Sequence, residues 1–230
     1  MMRHPRFVEN NFGYLLVGLL TSFLLIPILR VYFGDSLRQD TELMRDFLPI
    51  GFSLLMLIGV WGFHADRRIF GLGLGLTALQ IGLAVAELLH PGMGLKFCAI
   101  VSAFAFCLLS IFLAGRHVFS WNRADLNTLM GAVCVYLLLG VIWAMIYGVF
   151  AYAWPEASFN GITFREDTVQ FDNYLYYSFV TLTTAGYGDI TPINPVIRTL
   201  AYLEMIVGQF YMAILVAGLV GLFMGKRIGS

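Results

Sequence analysis

Apolar runs without a single charged residue recur along this chain, at 10–29, 47–63, 69–86, 97–115, 126–155 and 205–225. A helix needs about 20 such residues to cross the hydrocarbon core of a bilayer. A chain that carries this many of them has to place them in lipid rather than in a water-bounded core. Composition agrees: 59% of the residues are hydrophobic, 12% are charged and the mean hydropathy is +0.80, too little polar side chain to cover a water-facing surface. The expected fold class is an all-α integral membrane protein with six transmembrane helices. Formal net charge is zero and no basic run exceeds Arg67-Arg68, which excludes a nucleic-acid partner.

Six crossings put both termini on one side, and the positive-inside rule chooses the cytoplasm. Arg3, Arg6, Arg67, Arg68, Arg116, Arg123, Lys226 and Arg227 then fall in inner segments, against Glu9, Asp66 and Asp125. In the outer segments the acids Asp35, Asp40, Glu42, Asp46, Glu156, Glu166, Asp167, Asp172 and Asp189 outnumber Arg30, Arg38, Arg45, Lys96, Arg165 and Arg198. The first apolar run is too long for a cleavable signal peptide. A polar, basic inner segment, "GRHVFSWNRADLN" at 115–127, divides the chain into a four-helix membrane region, 1–125, and a final helix pair, 126–230.

Several chemistries are absent from the pattern. Cys98, Cys107 and Cys134 lie in apolar stretches without paired spacing, and His4, His64, His90 and His117 stand singly at expected span ends or in loops, no two of them three or four residues apart, so no protein-bound metal or organic cofactor is expected. No Ser/His/Asp, Cys/His or paired-carboxylate arrangement can be assembled, so the chain is not expected to be an enzyme. The glycine-rich "GLGLGLT" at 71–77 follows no strand and reads as close helix packing rather than a nucleotide loop.

Between the last two spans stands "TLTTAGYGDITP", 181–192, preceded by "DNYLYYSFVTLTT", 172–184. The latter is uncharged after Asp172, a good N-cap, but at 13 residues it is too short to cross a bilayer, so it reads as a re-entrant half helix. Non-helical backbone at membrane depth is tolerated only where protein buries it or it lines a water-filled path. The motif must line something. The last helix is expected to begin at Asn194-Pro195, a cap followed by the proline favoured at the first helical position, and to run about 30 residues, which demands tilt or protrusion. Along it Gln209, Met212 and Val216 share a face. Glu204, the sole carboxylate of that span, lies on a different face and is expected to bond the half helix.

Thr183-Thr184-Ala185-Gly186-Tyr187-Gly188-Asp189 closely resembles the filter of tetrameric potassium channels, with Ala185 where valine is usual, and the similarity extends over 126–225. The resemblance implies a homotetramer in a prokaryotic plasma membrane that conducts K+ passively. Its filter, Thr184 to Gly188, would bind the ion through the carbonyls of Thr184, Ala185, Gly186 and Tyr187 and the Thr184 hydroxyl. Gly186 and Gly188 would supply the positive φ that such a strand needs. Thr183 would support the filter, Tyr187 would pack on Tyr176 and Tyr177, and Asp189 would accept a hydrogen bond from Tyr176. By the same likeness Gln209, Met212 and Val216 face a cavity. Gly208, 19 residues after Asp189, stands where similar channels hinge, although close helix packing explains a glycine there equally well. Arg198 would meet a lipid phosphate or snorkel.

Voltage sensing in the superfamily uses arginines within the fourth span, each worth about 2.3 kcal/mol per 100 mV. Here 95–116 offers only Lys96 and Arg116 at its ends, so strong voltage dependence is not expected. The nine residues after Gly221 are expected to hold no ligand-binding domain, which leaves lipid, proton, membrane tension or an unseen regulatory partner as the stimulus. The alternatives are a weakly selective monovalent cation channel, suggested by Ala185 and by Val180 behind the filter, and a non-conducting sensor or scaffold. A potassium-uptake transporter subunit fits poorly, since one chain would carry four filter segments.

Overall fold

The computed structural model describes residues 12–33, 53, 56–60, 67–90, 93–118, 126–154, 158–162 and 171–228. It is mostly helical: α1 (Phe12–Phe33), α2 (Arg67–Leu89), α3 (Met93–Val118), α4 (Leu126–Ala153), the short α5 (Phe171–Leu182) and the long α6 (Pro195–Ile228). Two-residue strands β1 (Phe159–Asn160) and β2 (Thr191–Pro192) pair antiparallel, Phe159 opposite Pro192 and Asn160 opposite Thr191. Among the described residues four segments are long and apolar enough to cross a membrane: Phe70–Glu87, Phe97–Arg116, Leu126–Ala153 and Pro195–Gly218. A shorter apolar segment, Phe12–Leu24, lies in α1. The expected span 47–63 falls largely outside the described residues, of which 56–60 are helical. The protein is thus a multi-pass membrane protein built of helices.

The chain divides into two compact units. The first comprises Met1–His117 and Asp125–Cys134. In it the backbone amide of Phe12 donates to Asn127 Oδ1 at 3.0 Å, giving one orphan donor at the start of α1 a partner on α4. Phe12, Leu15, Leu19, Met56 and Phe106 are fully buried there, and Gly59 lies so close to Leu15 and Phe106 that a β-carbon would crowd both. Arg116 is exposed at the end of α3.

The second unit, Val118–Ala124 with Val135–Ser230, contains the rest of α4, both strands, α5 and α6. Its core is Ala144, Tyr147, Ala151, Phe159, Tyr174, Tyr177, Ile197 and Ala201. Tyr147, Phe159 and Tyr177 meet edge to face, with ring centroids 4.9–5.9 Å apart, the geometry that aromatic quadrupoles favour. Through this cluster α5 is wedged between α4 and α6. Gly140 of α4 makes the wedge possible, because a β-carbon there would lie 2.6 Å from the Phe179 ring.

Candidate functional site

The site is the backbone that leaves α5. The helix begins at Phe171, one residue earlier than expected, so Asp172 lies in the first turn instead of at the cap. A carboxylate there still complements the positive end of the helix dipole. At the other end the amide of Thr184 donates to Thr181 O and that of Ala185 to Val180 O, both at 2.9 Å, with Gly186 also donating to Val180 O at 3.3 Å. These are the paired bonds of a Schellman cap, with Thr184 at the left-handed position. Its φ is +59°. Glycine ordinarily takes that place, and a β-branched residue there stores about 1–3 kcal/mol.

Left-handed backbone then recurs every second residue, at Gly186 (φ +56°) and Gly188 (φ +80°). The two glycines were legible as such; Thr184 was not, although it continues their spacing by one step. Thr183 turns its hydroxyl back to Phe179 O at 2.6 Å, the local bond typical of a threonine at a helix end.

Side chains brace both ends of this strand. At its base Gln209 of α6 donates from Nε2 to Thr184 Oγ1 at 3.2 Å. Gly208 lies against the end of α5, where a β-carbon would collide with the Leu182 carbonyl oxygen. The close-packing explanation of this glycine therefore has a specific neighbour. Leu182 O also receives the Tyr136 hydroxyl at 3.4 Å. Met212 and Val216, farther along α6, are exposed in the single chain.

At the far end Tyr176 stacks on Tyr187, with centroids 6.5 Å apart and planes at 20°, and donates its hydroxyl to Asp189 Oδ2 at 2.7 Å. Tyr177, expected beside Tyr187, is found elsewhere: it is buried with Tyr147 and Phe159 on the far side of α5. Adjacent helical residues lie about 100° apart, so the two tyrosines cannot share a face. Gly161 (φ +88°), not singled out in the sequence, packs against the Asp189 backbone so tightly that a β-carbon would overlap its carbonyl oxygen. Together with β1–β2 pairing it holds the exit of the strand. Arg198, assigned to lipid, donates from Nε to Pro192 O at 2.9 Å, while Asn194 Oδ1 accepts from Val196 N at 2.8 Å and caps α6 as its sequence foretold.

Behind α5, Glu204 is fully buried. The Tyr147 hydroxyl donates to its Oε2 at 2.6 Å, and Ser178 Oγ lies 2.5 Å from its Oε1. The expected bond to the half helix is there, and Tyr147 is a partner that the sequence did not reveal. Among the described residues no group of His, Cys, Asp and Glu could hold a metal ion.

The Tyr176 hydroxyl holds the Asp189 carboxyl below its usual range, and the carboxylate pushes the phenol up. A lowered carboxyl pKa gives a contribution that is fully present above the unfolded value, about 3.9, and is lost as pH falls through the still lower folded value. Tyr176→Phe is therefore expected to raise the Asp189 midpoint toward the ordinary range in a carboxyl 13C NMR titration. An unchanged midpoint would show that the hydroxyl does not hold the acid.

The ion-channel family model matches residues 131–224, which contain most of α4, all of α5, the strand and most of α6. Protein LctB of Bacillus caldotenax is 35% identical to the chain over 103 residues, covering 41% of this chain and 72% of LctB. No solved structure matches. A half helix with a left-handed, glycine-bearing exit, followed by a long apolar helix, occupies the matched region; the chain belongs to the ion-channel family.

Proposed function

We propose that the protein is a potassium-selective channel, a homotetramer that conducts K+ passively through one central pore. The observation that carries this reading is the left-handed backbone at 184, 186 and 188, launched from the capped end of a helix too short to span a bilayer. Each such residue reverses the turn of the chain, which is what a strand presenting successive carbonyls to one side requires. Thr184, Ala185, Gly186, Tyr187 and Gly188 form the filter, and the Thr184 hydroxyl adds the innermost ligand. Thr183, Tyr176 and Asp189 brace it. Gln209, Met212 and Val216 line the cavity.

Four-fold assembly accounts for exposure that one chain leaves uncovered. Tyr187 is 74% exposed and Phe210 65% exposed, large apolar areas that a membrane-depth strand would place against copies of itself. Residues 126–230 form the pore domain and 1–125 the four-helix domain, with six crossings, both termini in the cytoplasm of a prokaryotic cell, and lipids around the rim. With no charge between Lys96 and Arg116 of α3, the channel is not strongly voltage dependent.

A weakly selective cation pore is the second reading, favoured by Gln209, whose amide occupies a lone pair of the Thr184 hydroxyl. Bi-ionic reversal potentials for K+ against Na+, measured on the purified protein in planar bilayers, separate the two. A tenfold preference appears as about 59 mV for a monovalent ion, and at least that shift is expected. A shift near zero rejects selectivity, and absence of current rejects conduction in favour of a sensor or scaffold.

A further inference from the structure

Three close oxygen contacts run in series through the wall behind α5. Tyr147 Oη lies 2.6 Å from Glu204 Oε2, Glu204 Oε1 lies 2.5 Å from Ser178 Oγ, and Ser178 Oγ lies 2.8 Å from Gly140 O. Each contact is at hydrogen-bond distance and needs a hydrogen between its oxygens, since lone pairs so close would otherwise repel. The tyrosine and the serine supply one hydrogen each and the Gly140 carbonyl supplies none. An ionised Glu204 leaves one of the three contacts without a hydrogen. A neutral Glu204 fills all three.

We infer that Glu204 is a protonated, uncharged carboxylic acid at neutral pH and acts as a positioning residue, completing a directed chain from Tyr147 through Glu204 and Ser178 to Gly140. In that chain Tyr147 donates to Oε2, Oε1–H donates to Ser178 Oγ, and Ser178 donates to Gly140 O. The surroundings agree. The carboxyl is fully buried; among the described residues its hydrogen-bond partners are these two hydroxyls, and the other titratable groups that face it are Tyr136 on α4 and Tyr177 on α5, with no cation. A carboxylate in that position would be a buried, unpaired charge, the costliest arrangement a membrane interior offers. The neutral acid ties α6 and α4 to α5 four residues before its last, Leu182, and adds no fixed charge beside the conduction path.

Infrared difference spectroscopy of the full chain in lipid bilayers at neutral pH, wild type minus Glu204→Gln, tests this. A protonated-carboxyl C=O band sensitive to deuterium exchange is expected, displaced in Ser178→Ala and Tyr147→Phe, which remove its two partners one at a time. No such band, or a carboxylate band in its place, overturns the inference. So does a band indifferent to both partner substitutions. Glu204→Gln itself, whose amide accepts from Tyr147 and donates to Ser178, is expected to keep potassium flux within about twofold. Glu204→Ala, which breaks the chain, is expected to lose about tenfold or more, and equal flux in the two variants would overturn the positioning role. This functional arm rests on the channel reading; the infrared arm does not, so a protein that carries no current at all still decides the protonation.

Discussion

Gly186→Ala is expected to reduce potassium flux from proteoliposomes by about 100-fold or more, since each 1.4 kcal/mol is a factor of ten and an L-residue in left-handed backbone costs about 1–2 kcal/mol per chain. In the single chain no atom lies within 4 Å of where the new β-carbon would stand, so packing does not oppose the change. The obstacle is the φ of +56°, which glycine adopts freely and alanine does not. In a tetramer the same penalty falls on four strands at one axis, giving about 4–8 kcal/mol against the conducting conformation. A strand relaxed to negative φ turns its peptide over and withdraws the ligands. Gly75→Ala is the matched control: that glycine is also open, but it lies inside α2 with ordinary helical φ, and flux is expected to be unchanged. Flux of Gly186→Ala within about threefold of wild type would mean that this φ is not needed for conduction, and the filter reading would fall.

The same strand shows what a sequence can and cannot display. Gly186 and Gly188 announce themselves because glycine is the residue for which positive φ is cheap. The cap of α6 is legible for a similar reason, since Asn194 and Pro195 are the residue types that a helix start selects, and the structure puts both to that use. Thr184 hides. Its left-handed φ is imposed by the Schellman bonds to Val180 and Thr181, and its residue type, unfavourable for that backbone, suits the hydroxyl it offers at the base of the strand.

Contacts between distant segments were harder still. Glu204 could be assigned to the half helix because a lone carboxylate in an apolar span must find a partner. That Tyr147 would be one of those partners depends on how α4 packs, which no periodicity in α4 reveals. Gly140 and Gly161 are two among 24 glycines, and nothing in their local sequence marks them as the places where Phe179 and the Asp189 carbonyl come closest. Tyr176 and Tyr177 are neighbours of one type with opposite fates, one bonded to Asp189 and the other buried against Tyr147. Which face of α5 looks inward was fixed by the wedge between α4 and α6, a tertiary fact.

Gly208→Ala turns on the same kind of close approach, and the sign of its effect separates two explanations of the glycine. Were Gly208 only a hinge, alanine would remove a weak point from α6 and stabilise the helix by about 0.5–1 kcal/mol. The structure points the other way. The added methyl would overlap the carbonyl oxygen of Leu182 and sit 3.0 Å from Leu182 Cδ1. The side chain can rotate aside, but the carbonyl belongs to the last turn of α5 and cannot move without the helix. Relief therefore requires α6 to back away, which stretches the Gln209 bond to Thr184 on one side and the Glu204 contacts to Ser178 and Tyr147 on the other. Overpacking that disturbs buried hydrogen bonds as well costs about 3 kcal/mol or more. A clear drop in the thermal unfolding midpoint is expected for the purified variant in detergent, with loss of potassium flux. A midpoint equal to or above wild type would show that α6 does not depend on this contact, and the glycine would then be left with bending alone.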